Sequence, residues 1–107
     1  MNDVQLASFQ IISAVGAAKS YYIEAIRAAE KGAFAEAAEK MKEGRAAYKE
    51  GHDVHFKLLQ GEAGGDSQLL SILLVHAEDQ LMSAETIQLL AEQMIATNQR
   101  LYKLEKQ

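Results

Sequence analysis

The chain has 107 residues, 49% hydrophobic and 24% charged, with a formal net charge of −4 and no cysteine. That length suits one domain, and a pI near 5.3 argues against a nucleic-acid partner, which requires a clustered cationic face. Without cysteine there is no disulfide framework, no thiol nucleophile and no Cys-based zinc site.

The Met1 start lacks the basic segment and long apolar run of a signal peptide. The longest apolar run, Leu69–Val75, is broken by Ser71 and falls well short of the roughly 18 residues of a membrane span. A soluble, cytoplasmic protein is expected. Lys and Arg are scattered among Glu at helical spacing, as in Glu36 and Lys40, which reads as a solvated helix surface.

With no proline and only seven glycines, breaks in the chain are few. The first predicted helix runs from about Asp3 to Lys31, with Asn2 or Asp3 as N-cap and Gly32 as its end. Val4, Ile11, Val15, Ala18, Tyr22, Ala25 and Ala29 form a stripe at three- and four-residue steps. The second helix covers about 34–60, with Phe34, Ala37, Met41, Gly44, Tyr48, Gly51, His55 and Leu58 as its stripe. Gly44 and Gly51 lie inside that stripe, where each costs about 1 kcal/mol against Ala. Close approach of a neighbouring helix is their expected use. The loop Gly61–Ser67 follows, and Asp66 or Ser67 is placed to cap a third helix over about 67–103. The expected fold is all-α: an antiparallel up-down-up three-helix bundle in one domain spanning 1–107.

The third helix is apolar on almost every side. Leu70, Leu73, Ala77, Leu81, Ala84, Ala91, Ile95 and Tyr102 share one face. Leu69, Ile72, Ile87, Leu90 and Met94 share a second, and Val75, Met82 and Leu89 a third. Only Glu78, Glu85 and Glu92 make a steadily polar strip. A helix apolar all round is buried all round, so a homo-oligomer with third helices meeting at its centre is expected.

On the second face a polar belt interrupts the apolar residues: His76, Asp79, Gln80 and Ser83. Burying such groups unpaired costs several kcal/mol, so they pair with one another, line a cleft or bind something. His76 and Asp79 are three residues apart, close enough for the carboxylate to orient the ring. The residues alone leave three readings open: a core histidine, a metal pair, and a nucleophile or general base. His52 and His55 on the second helix would complete a three-histidine metal site if they converged on His76. No phosphate-binding glycine loop of the GxxxxGK[ST] type is present, which argues against a nucleotide enzyme.

The segment Leu73-Leu74-Val75-His76-Ala77-Glu78-Asp79-Gln80-Leu81-Met82 resembles the active-site signature of the enzyme IIA component of lactose/cellobiose-type phosphotransferase systems. Phe9-Gln10-Ile11-Ile12, Gly16-Ala17-Ala18-Lys19-Ser20 and Glu24-Ala25 resemble that family's first helix. Ala29–Phe34 and Leu58–Gly65 resemble its two connections, so the likeness runs along nearly the whole chain.

The resemblance implies a homotrimer that accepts a phosphoryl group from the phosphocarrier HPr on a histidine. The group then passes to a cysteine of the IIB component, while a membrane IIC component delivers the sugar. By motif the phosphorylated residue is His76, and the carboxylate that binds a divalent cation such as Mg²⁺ at the trimer axis is Asp79. His52 matches a recurring family histidine near the phosphoryl group. Three positions depart from the commoner pattern: Glu78 stands for Gln, Gln80 for His, and His55 for Gln. Two rival functions remain: a regulatory or assembly trimer that no longer carries phosphate, and an unrelated histidine-based metal bundle. The sugar itself is not readable from these residues.

Overall fold

The computed structural model describes residues 2–65 and 71–107, and these form three helices and no strand. Helix α1 spans Asp3–Glu30, α2 Phe34–Ala63 and α3 Ile72–Glu105. The rod they make measures 61 × 21 × 19 Å. Among the described residues, no helix is long and apolar enough to cross a membrane.

Each helix end has a chemical reason. Asn2 caps α1: its side chain accepts from the Gln5 N–H at 2.8 Å, and the Gln5 side chain accepts from the Asn2 N–H at 3.1 Å. This reciprocal capping box satisfies two donors that would otherwise be orphaned. At the other end Gly32 adopts φ +80, a conformation open to glycine at little cost. The Ala33 N–H then reaches Ala28 O at 2.9 Å and the Gly32 N–H reaches Ala29 O at 3.0 Å, the paired bonds of a Schellman stop.

Two boundaries differ from the sequence reading. Helix α2 continues through Gly61 to Ala63, and the Gly64-Gly65 pair stops it, with Gly65 at φ +100. Helix α3 begins at Ile72 rather than near residue 67. Its cap is Ser71, in extended backbone, whose Oγ accepts from the Leu74 N–H at 3.1 Å. The serine that breaks the apolar run is thus a helix start, as its short hydroxyl favours. The expected caps Asp66 and Ser67, together with Leu69 and Leu70, lie outside the described residues.

The topology is up-down-up. The start of α2 meets the end of α3, where the Phe34 and Tyr102 rings sit edge to face at 5.5 Å. Helix α1 is the spine, packing broadly on both partners, while α2 and α3 touch far less. Its predicted stripe is the buried one: Ile11, Val15, Ala18, Tyr22, Ala25 and Ala29 are all closed off from solvent. Across from it lie Ala37, Met41, Ala77, Leu81, Ala84 and Ala91. Alanine predominates, so the helix axes can come close together.

Into this thin core α1 inserts one large group. Tyr22 is wholly buried, with its ring over Gly44 of α2 and its hydroxyl donating to Gln88 Oε1 of α3 at 3.3 Å. A Cβ at position 44 would lie 2.4 Å from that ring, and one at position 51 would lie 2.8 Å from a Val15 methyl. The two helical glycines therefore make room for side chains of α1. Lys40, spaced to pair with Glu36, instead crosses to Glu24 of α1 at 3.3 Å.

Gly44→Ala is expected to destabilise the bundle by about 2 kcal/mol, as typical overpacking outweighs the gain in helix propensity. Denaturant unfolding checks this; an alanine variant as stable as the parent would refute the Tyr22 fit. Burial pushes the Tyr22 phenol up to about 12, with neighbouring Arg45 working against the shift. Between about pH 10 and 12 the unfolded chain releases this proton and the folded chain keeps it. Stability should hold below that window and fall as pH rises through it. Tyr22→Phe should remove most of the alkaline loss, measured by thermal melts at rising pH.

Candidate functional site

Helix α3 presents three different edges, and each predicted residue belongs to one of them. The first is the seam with α2. Glu78 projects there, and its Oε2 lies 2.9 Å from His55 Nε2, with His55 largely buried. Further along, Glu85 is near enough to Tyr48 to help raise its phenol, after burial as the main cause. Glu92 accepts from Gln88 Nε2 at 3.3 Å. The Glu78, Glu85, Glu92 strip therefore borders the α2 seam, with Glu78 half-buried and Glu85 and Glu92 exposed along its rim.

The second edge is the seam with α1. Here Lys19 Nζ donates to Gln80 Oε1. His76 precedes Gln80 by four residues, so the two share a face, one turn and about 6 Å apart. Glu78 is only two residues from His76, but two residues turn a helix by about 200°. His76 and Glu78 consequently occupy opposite flanks. The extra negative charge of Glu78 is engaged by His55 and faces away from His76.

His76 itself is exposed and has no hydrogen-bond partner among the described residues. The core-histidine reading is thereby excluded. Asp79 is exposed as well, and it accepts from Gln80 Nε2 at 3.4 Å rather than bonding the His76 ring. His52 is half-exposed on α2, its ring 6.0 Å from Tyr48 and its Nδ1 4.0 Å from Asp53 Oδ1. No group of three His, Asp or Glu side chains able to hold a metal ion forms among the described residues of one chain. With His55 committed to Glu78, a site built from His52, His55 and His76 does not assemble. Sequence spacing could not have excluded it, because it does not say which helix fills which flank.

The third edge faces away from both partner helices, and it is apolar. Ile72 is 90% exposed and Met82 60%, with Val75, Leu89, Leu90 and Met94 beside them. Asp79 stands within this face, three residues before Met82 and four after Val75. A broad apolar surface interrupted by one carboxylate is not a monomer's ordinary exterior.

The site thus offers an uncommitted imidazole on a rigid helix, an amide and a lysine beside it, and an apolar surface around it. Such an imidazole can act as a nucleophile. The chain matches the family model for the lactose/cellobiose-specific IIA subunit of the phosphotransferase system over residues 6–99. It belongs to that family. The oligo-beta-mannoside-specific EIIA component of Bacillus subtilis (strain 168) is 37% identical over 95 residues, covering 89% of this chain and 86% of that protein. The fold agrees. The cellobiose-specific enzyme IIA from Bacillus anthracis superimposes with a TM-score of 0.93 at 37% identity, covering 96% of this chain and 94% of that one. The IIA(chitobiose) of the Escherichia coli phosphotransferase system, solved in complex with HPr, gives a TM-score of 0.82 at 30% identity, covering 95% of this chain and 99% of that one.

Proposed function

We propose that this chain is a cytoplasmic phosphocarrier of a sugar phosphotransferase system, with His76 as the residue that carries the phosphoryl group. The observation that supports this most is the exposed, unpaired imidazole at the centre of the family signature. In the reaction, a ring nitrogen of neutral His76 attacks phosphorus on phospho-HPr. The new N–P bond forms as the bond to the donor histidine breaks. A cysteine thiolate of the IIB component then attacks the same phosphorus, and His76 is returned as free imidazole. The sugar delivered by the membrane IIC component is the final acceptor.

A histidine fixed on a helix loses little orientational freedom on meeting its donor, and apolar neighbours limit hydrolysis of the phosphohistidine. HPr fits as the partner because a structural relative was solved bound to it. The relatives' names span mannosides, cellobiose and chitobiose, so the family fold does not fix the sugar.

The apolar third edge of α3 supports a homotrimer with third helices at its axis. In that assembly Asp79 from each subunit would converge, and three carboxylates in an apolar interface repel one another. Oxygen donors of this kind suit a hard divalent cation such as Mg²⁺, and the described residues of one chain bring no three such ligands together. Asp79 would hold the ion, which supplies charge neutralisation when bound.

With phosphoenolpyruvate, enzyme I and HPr, the wild type should gain the mass of one phosphate in an acid-labile, base-stable form, and His76→Ala should gain none. Identical behaviour of the two proteins would defeat the assignment. In sedimentation the wild type should run as three chains and respond to a chelator. Asp79→Leu should stay trimeric and ignore the chelator. A wild type that is monomeric at every concentration would rule out the trimer, and metal retained by Asp79→Leu would rule out its role as ligand.

A further inference from the structure

A cation seated one turn from His76, on Gln80, does not belong to its helix. Lys19 reaches from α1, part-buried, and donates its ammonium to the Gln80 side-chain amide on the face of α3 that carries His76. Its partner there is neutral. Lys40 is held by Glu24 and Lys49 by Asp53, but no carboxylate lies within 4.0 Å of Lys19 among the described residues. The hollow below it on the α1–α3 seam, about 380 Å³, is lined by Lys19, Ser20, Ile23, Glu24, Arg27 and Ile87. Glu24 is already engaged by Lys40, so the positive charge of that seam is not cancelled locally.

We infer that Lys19 is the residue that binds the phosphoryl oxygens once His76 is phosphorylated. This rests on the phosphocarrier reading of His76. A phosphoryl group brings close to two negative charges and three strong acceptor oxygens onto a face that already carries the Asp79 carboxylate. Repulsion alone would favour returning it to the donor. The Lys19 ammonium sits about one helical turn away, within reach of a flexible four-carbon stem. In the free protein the Gln80 carbonyl oxygen accepts from that ammonium and holds it in place. On phosphorylation the ammonium exchanges a neutral acceptor for a charged one, which is the stronger hydrogen bond.

The exchange places Lys19 in contact with the reacting group and Gln80 in a positioning role. It also accounts for the glutamine itself: a neutral side chain at position 80 can hold a lysine and release it, whereas a carboxylate would compete with the phosphoryl group for it. Glu78, on the opposite flank and paired with His55, does not compete.

The test is the phosphoryl-transfer equilibrium between HPr and this protein, measured for wild type, Lys19→Gln and Lys19→Arg, with the half-life of each phosphorylated form. Lys19→Gln should shift the equilibrium about tenfold toward phospho-HPr, the size expected for one lost charged hydrogen bond. Lys19→Arg, which keeps the charge, should recover most of that shift. Thermal melts of the unphosphorylated variants should match the wild type, separating the effect from misfolding. If Lys19→Gln transfers with the wild-type equilibrium and half-life, the Lys19 assignment is wrong while His76 stands. An arginine variant as impaired as the glutamine one would also overturn it, and a wild type that takes no phosphate would overturn both.

Discussion

Tyr22 ties the three helices into one object. Its ring fills the notch that Gly44 leaves in α2, and its hydroxyl bonds Gln88 on α3, so one side chain of α1 fixes the register of both neighbours. The rest of the core is mostly alanine and could slide at little cost, since small side chains interlock weakly. A large planar group in a fitted slot cannot slide. Placement of every side chain along α3, His76 included, depends on that register.

Register in turn divides the polar residues of α3 between two seams. Facing α2, Glu78 meets His55 across an otherwise sparse contact, so a hydrogen-bonded polar pair joins helices that share few contacts. Facing α1, Gln80 meets Lys19 and leaves His76 open just above. Glu78 and Lys19 are therefore kept apart by the body of the helix. A phosphoryl group on His76 would lie on the flank that holds the cation, away from the carboxylate nearest in sequence.

The remaining side of α3 is apolar and has no partner among the described residues, with Ile72, Met82 and Leu89 exposed. In a single subunit that arrangement is costly, because contiguous apolar surface in water favours association. Asp79 is the informative exception on that surface, a charge that only solvent, a proton or a cation could accommodate if copies of the helix met there.

Much of this protein was legible from its sequence. The α1 stripe ending in Tyr22 and Ala29, the Asn2 cap, the stop at Gly32 and the HAEDQLM segment all rest on residues close together in the chain. Local backbone chemistry and the 3.6-residue period suffice for them. Ser71 reads in the sequence as an interruption of an apolar run, and only its hydroxyl bond to the Leu74 N–H marks it as a helix cap. Only the tertiary structure decided that Glu78 turns to His55, that Gln80 takes Lys19, and that His52, His55 and His76 form no metal-binding group among the described residues. No periodicity links residue 19 to residue 80, or 55 to 78. Those pairings depend on which helix packs against each flank of α3, and that is settled by contacts between segments far apart in the chain.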